Sequence, residues 1–278
     1  PPVLTIVLIA LALLAGFGYR GWRKRQRHAI AARPLPDHWH AILERNVPLY
    51  RRIPEHLRRQ LHGHIQLFLH DKQFFGFQGQ EITDEIRVTV AANACILLLN
   101  RSADTFSGFQ SIYIYPSTFL VEHETWDGRV RNVAHQARLG ESWHRGPLVL
   151  AWDAALHGTR DMRDGHNVIL HEFAHKLDGA DGAVDGAPPL RQRSQYTSWA
   201  RVMTREYKDL RRHAKQRART VMDHYGATEP QEFFAVLVET FFEKPRQLQH
   251  RHPELYDEMR RCFGVDTVEW HNPARDRE

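Results

Sequence analysis

The chain of 278 residues predicts an α+β domain, and three observations carry that prediction. Apolar residues recur at helical spacing near both ends of the chain. Two short runs between them, residues 111–115 and 148–152, read as strands. An H-E-x-x-H pattern, His171-Glu172-Phe173-Ala174-His175, lies in a helical frame that opens a helical C-terminal half. So few strands among so many helices make a small mixed sheet with helices packed against it.

The elements follow in order. Residues 3–17 are apolar and uncharged. With Gly18 and Tyr19 the run reaches the lower end of membrane-spanning length, about 17 residues. Arg20, Arg23, Lys24, Arg25, Arg27 and Arg33 come after it, with Tyr19 and Trp22 at the junction. Positive charge behind an apolar run is held on the cytoplasmic side, whereas a signal peptide carries its charge in front. Residues 1–19 are therefore expected to be an N-terminal membrane anchor. Residues 20–36 follow as a basic juxtamembrane linker that ends in Pro34 and Pro36, and residues 37–278 form the main domain. The expected location is cytoplasmic, tethered to the inner membrane.

In the main domain, Leu57, Leu61, Ile65 and Phe68 share one helical face after Pro54. Thr83 is a good N-cap for a second helix through Ala91, Cys95 and Leu98. The run at 111–115 alternates and stops at Pro116, and residues 148–152 make a shorter apolar strand just before the H-E-x-x-H helix. That second strand is expected either to lie at the sheet edge and hold a substrate backbone, or to sit inside the sheet. Residues 179–189 are a loop rich in Gly, Ala and Pro. Its two Asp residues lack the spacing and closing Glu of a calcium loop, and a mobile rim of the site is the expected role.

Composition bounds the function. With 42% hydrophobic and 10% aromatic residues the chain is globular rather than disordered. Cys95 and Cys262 are too few for a disulfide framework and fit a reducing compartment. The net charge of +5 gathers near residues 20–33, 51–59 and 211–219. No helix-turn-helix, RNA-binding or zinc-finger pattern accompanies these clusters, so no specific nucleic acid partner is expected.

The chemistry is concentrated in the H-E-x-x-H pattern. Positions i and i+4 of a helix share a face, so His171 and His175 can reach one zinc ion. Glu172 stands where such sites keep the general base. The residues 167–170 lead in without Gly or Pro, Phe173, Ala174 and Leu177 complete an apolar stripe, and Gly179 can stop the helix. A half-buried helix with two solvent-facing His is the bland alternative.

A zinc site that activates water needs a third protein ligand and one open position. Pro230 suits the first turn of a helix, and Glu232 sits in that turn. From spacing alone Glu232 is either a ligand or a carboxylate serving the helix dipole. Glu239, two turns on, shares its face and can order a liganding His, or be an ordinary surface Glu. Tyr225 precedes the helix, as an oxyanion donor or a loop aromatic. His224 is expected to be a bystander.

Two stretches, residues 165–178 and Gln231-Glu232-Phe233-Phe234-Ala235-Val236, resemble the Mlc titration factor A family of zinc peptidases, sometimes grouped with the gluzincins. Gly140-Glu141-Ser142-Trp143, the run 146–150, Ile114-Tyr115-Pro116 and Pro253-Glu254-Leu255-Tyr256 add to the likeness. It covers nearly everything after about residue 40. The resemblance implies a gluzincin-like zinc peptidase domain holding one zinc per chain through His171, His175 and Glu232. It implies a catalytic Glu172, and Tyr225 stands where related gluzincins keep a Tyr. Peptide or protein substrates follow, with an aminopeptidase as one form of the activity. The family name also implies a regulatory alternative, the sequestration of a transcriptional repressor.

Overall fold

The computed structural model describes residues 2–117 and 146–271; within these, the side chains of residues 2–4 and 6–14 fall outside the description. The stretch Gly140-Glu141-Ser142-Trp143 lies outside the described residues. The chain opens with helices α1 (Pro2–Ala31), α2 (Asp37–Asn46), α3 (Pro48–Arg52) and α4 (Glu55–Asp71). Strand β1 (Gln73–Gly76) and helix α5 (Asp84–Ile96) lead to β2 (Ser111–Tyr115), and β3 (Leu148–Ala151) follows. The remainder is helical: α6 (Trp152–Arg160), α7 (Val168–Asp178), α8 (Gln195–Lys215), α9 (Pro230–Glu243), α10 (Pro245–Arg251), α11 (Pro253–Phe263) and α12 (Thr267–Trp270).

Local chemistry accounts for these boundaries. Pro48, Pro230, Pro245 and Pro253 each open a helix, where the missing N–H costs nothing. Thr83 caps α5 by accepting from the Ile86 N–H at 3.4 Å, as its position predicts. The short β1 and the helix α6 were not expected from sequence. Four residues are too few for a clear alternation, and α6 begins at Trp152, the residue expected to end the strand before it.

The described sheet has the order β1-β2-β3, and both pairings are parallel, whereas a mixed sheet was expected. The β1–α5–β2 connection carries the chain back across the sheet, which is what parallel neighbours require. Ile112 faces Leu148 and Ile114 faces Leu150 in register, and all four are buried. Among the described strands β3 stands at an edge.

The core lies between the sheet and the helices. Ten residues of α5 from Ile86 to Ile96 are buried, and α9 is buried from Glu232 to Glu243, so these two helices lie deepest in the core. Helix α7 packs against both α5 and α9. Phe173 of α7 is fully buried in an aromatic cluster with Phe68, Phe106 and Phe109, ring centroids 5.1–6.0 Å away. Cys95 and Cys262 are free thiols, both buried.

The end of α1 is packed against this body. Arg27 pairs with Asp71 at 2.7 Å and approaches Asp104 at 2.8 Å, while Ile30 and Leu35 are buried. Thus much of the stretch expected to be a juxtamembrane linker is helical and folds onto α4. Among the described residues no helix is long and apolar enough to cross a membrane. The apolar run expected to be the anchor falls largely on residues whose side chains are outside the description.

Candidate metal centre

The site is made where α7 meets α9, and its construction begins at Asn167. This residue has an extended backbone, and its Oδ1 accepts from the Leu170 N–H at 3.1 Å, capping α7. Its own N–H donates to Glu239 Oε2 at 2.5 Å, and its Nδ2 donates to Glu243 Oε1 at 3.1 Å. The same Nδ2 also lies 3.3 Å from Asn93 Oδ1 on α5. One side chain therefore starts α7 and fastens that start to two neighbouring helices. With the start fixed, the helical repeat sets where His171 and His175 stand.

Those two imidazoles and Glu232 converge. His171 Nε2 lies 3.1 Å from Glu232 Oε2 and 3.2 Å from His175 Nε2, and His175 Nε2 lies 3.3 Å from Glu232 Oε2. These three edges suit a tetrahedral ion: bonds of about 2.0–2.1 Å subtend ligand–ligand separations of roughly 3.3 Å. His171 Nδ1 lies 2.8 Å from Glu239 Oε1, so it carries the proton and donates, which turns the Nε2 lone pair inward. Lone pairs from two nitrogens and one carboxylate meeting at one point repel unless a cation lies among them.

The electrostatics agree with the geometry. Burial works against a charged His171, yet Glu232 and Glu239 lift the imidazole well above its ordinary value. Burial also works against an ionised Glu232, but the His171 and His175 imidazoles beside it hold the carboxyl far below the usual range. Both shifts express a demand for positive charge at the centre of the triangle. The ligand side chains are between 11% and 22% exposed, so solvent reaches the site. The residues present fit a single metal ion.

Glu172 is half-buried beside the triangle. Burial pushes its carboxyl up, with His175 and His171 opposing the rise. Tyr225 sits on a single-turn 3-10 helix, His224–Ala227, with its ring 6.0 Å from the His171 ring. Neighbouring His224 turns away and pairs through Nε2 with the Ala218 carbonyl at 2.9 Å. The loop expected to be a mobile rim is tied down at Gly186. That N–H donates to Asp178 Oδ2 at 3.0 Å, and its carbonyl accepts from Trp199 Nε1 at 3.3 Å. Gly186 adopts φ +81°, and a Cβ there would stand 2.6 Å from the Pro230 carbonyl, two residues before Glu232. Only glycine lets the loop approach α9 so closely.

The structure thus brings His171, Glu172, His175, Tyr225 and Glu232 into one neighbourhood, and makes Glu239 the partner of His171. Asn167, Asn93 and Glu243 were missed as contributors. A signal existed for Glu243: it follows Glu239 by four positions on a helix that is otherwise almost wholly apolar. Carboxylates aligned on a buried helix face need partners, and here the partner is Asn167.

Two imidazoles and a carboxylate, delivered by two packed helices with a further Glu alongside, put this chain in the class of metallopeptidases. Residues 19–264 match the family described as glucose-regulated metallo-peptidase M90, and the chain belongs to that family. It is 43% identical to the uncharacterized protein slr2042 of Synechocystis sp. (strain ATCC 27184 / PCC 6803 / Kazusa), over 96% of this chain and 97% of that protein. It is 29% identical to Mlc titration factor A of Cronobacter sakazakii (strain ATCC BAA-894), over 89% of this chain and 92% of that protein. Mlc titration factor A of Serratia proteamaculans (strain 568) is 31% identical, over 80% and 85% of the two chains. The family match begins at residue 19, well before residue 40 where the motif likeness sets in, and takes in the basic end of α1.

Proposed function

We propose that this protein is a zinc-dependent peptidase whose zinc is held by His171 Nε2, His175 Nε2 and Glu232 Oε2. The observation that carries the proposal is the triangle of donors with edges of 3.1–3.3 Å. Two imidazoles and one carboxylate suit zinc, which supplies Lewis acidity for a carbonyl and acidifies water at the open position. Glu172 takes the proton of the attacking water as its oxygen bonds to the peptide carbonyl carbon. The same carboxyl then delivers that proton to the amide nitrogen as the C–N bond breaks. Tyr225 donates its hydroxyl to the oxyanion. Glu239 holds His171 in the tautomer the site needs. Strand β3, at the described sheet edge, pairs with the backbone of the substrate.

The test is hydrolysis of a mixed peptide library by the zinc-loaded full chain, with product ends distinguishing aminopeptidase from internal cleavage. Glu172→Gln should lower turnover by about 10²–10⁴-fold while metal content stays unchanged. In the same panel Tyr225→Phe should lower kcat by about 10²–10³-fold. Equal turnover by parent and Glu172→Gln would overturn the mechanism. A second reading rests on the relatives named Mlc titration factor A: capture of a transcriptional repressor. Silence of the zinc-loaded parent on peptides, together with a stable complex with such a repressor, would favour it. We also keep the tether of residues 1–19 to the inner membrane as a proposal from sequence, tested by whether carbonate washing leaves the chain with the membrane.

A further inference from the structure

Apart from the metal centre, a concavity lies between α1, α4 and the turn at residues 102–107. It encloses about 820 Å³. Arg20, Arg23, Lys24 and Arg27 line it from α1, and Arg59 and His64 line it from α4. Asp104 is the one carboxylate on its wall, against five permanent cations. Like charges gathered along a groove raise the local potential and draw an anion.

The floor of the groove has a polar atom left without a partner. Arg27 Nη2 is buried and ion-paired with Asp104 Oδ1 at 2.8 Å. His64 Nδ1 is buried and unpaired. Buried polar atoms without partners are uncommon, and this one lies against a basic groove. The floor is closed by contact of α1 with α4 at Gly63, where a Cβ would lie 3.1 Å from the Ala31 carbonyl.

What lies beside the groove selects the ligand. Phe17, Tyr19 and Trp22 on α1 are 69%, 59% and 57% exposed, and the Tyr19 and Trp22 rings lie 6.0 Å apart. Exposed aromatic rings immediately followed by Arg and Lys on one helix are the pattern of a membrane interface, with the rings at headgroup level. A nucleic acid backbone calls for a longer basic track than this one, whereas Phe17 and Tyr19 stand ahead of the cations on the side of the apolar run. We propose that this groove binds the phosphate headgroup of an anionic phospholipid, so that α4 and the end of α1 clasp the headgroup together. The proposal rests on α1 meeting a bilayer and is independent of the peptidase reading.

The test is flotation of the full chain with vesicles of phosphatidylcholine alone and of phosphatidylcholine with phosphatidylglycerol. The parent should bind the anionic vesicles in preference. Arg23→Glu and Lys24→Glu should each weaken that binding about fivefold or more. Arg59→Glu, on the opposite wall, separates a groove from a merely basic helix and should weaken binding comparably. All three residues are exposed, so folding is preserved, and Arg27 is left intact because it ties α1 to Asp71. Equal binding to both vesicles, unmoved by the variants, would overturn the groove and leave the apolar tether standing. Preferential binding released by high salt would support the groove while removing the tether. No binding to either vesicle would overturn both. Quenching of Trp22 fluorescence by soluble glycerol phosphate without vesicle binding would assign the groove to a free phosphate and overturn the lipid. Displacement of the vesicles by a short DNA duplex through the same residues would reassign it to nucleic acid.

Discussion

In the proposed site, which nitrogen of His171 faces the metal is decided by Glu239. Its carboxylate accepts a hydrogen bond from Nδ1–H at 2.8 Å and another from the Asn167 N–H, so it is held from two sides. Glu239→Gln keeps the shape but exchanges a charge for a neutral acceptor, making His171 a poorer donor to the metal. Zinc affinity measured by competition with a chromophoric chelator should fall about 10–100-fold. Unchanged affinity would remove Glu239 from the support of the site. Glu239 stands outside the donor triangle, because its position two turns from Glu232 brings it to the Nδ1 side of the imidazole.

At the scale of elements, the site is a junction of α7 and α9 and depends on how α7 begins. Asn167 caps that helix and fills hydrogen bonds to Glu239 and Glu243 at once. Burial raises the Glu243 carboxyl well above its ordinary value, and the Asn167 amide is the hydrogen bond opposing that rise. Asn167→Ala removes a cap and strips a buried carboxyl of its partner, so unfolding by urea should show a loss of about 1–3 kcal/mol. Zinc binding should weaken with it, since the pitch of α7 carries both imidazoles. Asn167→Asp keeps the cap and loses the amide donor, so it should recover part of the stability but not the link to Glu243. Equal stability of the alanine variant and the parent would show that α7 is set by its core face alone, through Phe173 and Leu177.

For the whole molecule, a half-buried neutral imidazole makes stability depend on pH. His64 is held down to about 4 by burial, whereas in the unfolded chain it titrates near 6.5. Between those values the unfolded chain binds the extra proton, so falling pH favours unfolding. The contribution is fully present above pH 6.5 and is lost as pH falls towards 4. Asp178 works in the opposite sense over an overlapping range, because burial raises its carboxyl to about 6 and the folded state gains protons first. The two are separated by the His64→Gln variant. Its Tm should fall less steeply than the parent's between pH 6.5 and 4, and parallel curves would mean that His64 does not contribute.

The legible parts of this protein are those that local chemistry writes into consecutive residues. His171 and His175 share a helix face because they are four apart, Pro230 starts α9 because it lacks an N–H, and Thr83 caps α5 through its own hydroxyl. The family likeness carried Glu232 into the ligand set, since from spacing alone it was also an acceptable dipole carboxylate. Other features were closed to sequence. Strand β1 has no strong period of its own and exists because β2 supplies its hydrogen bonds. The role of Asn167 depends on Glu239 and Glu243, which lie more than seventy positions away, at separations of 72 and 76. The sequence by itself determined the donors, their spacing along each helix and the charge that follows the apolar run. Only the tertiary structure decided that three donors meet within 3.3 Å and that α1 closes a groove with α4. Spacing along a helix is set by backbone geometry within one segment, whereas convergence between segments is set by how their buried faces pack.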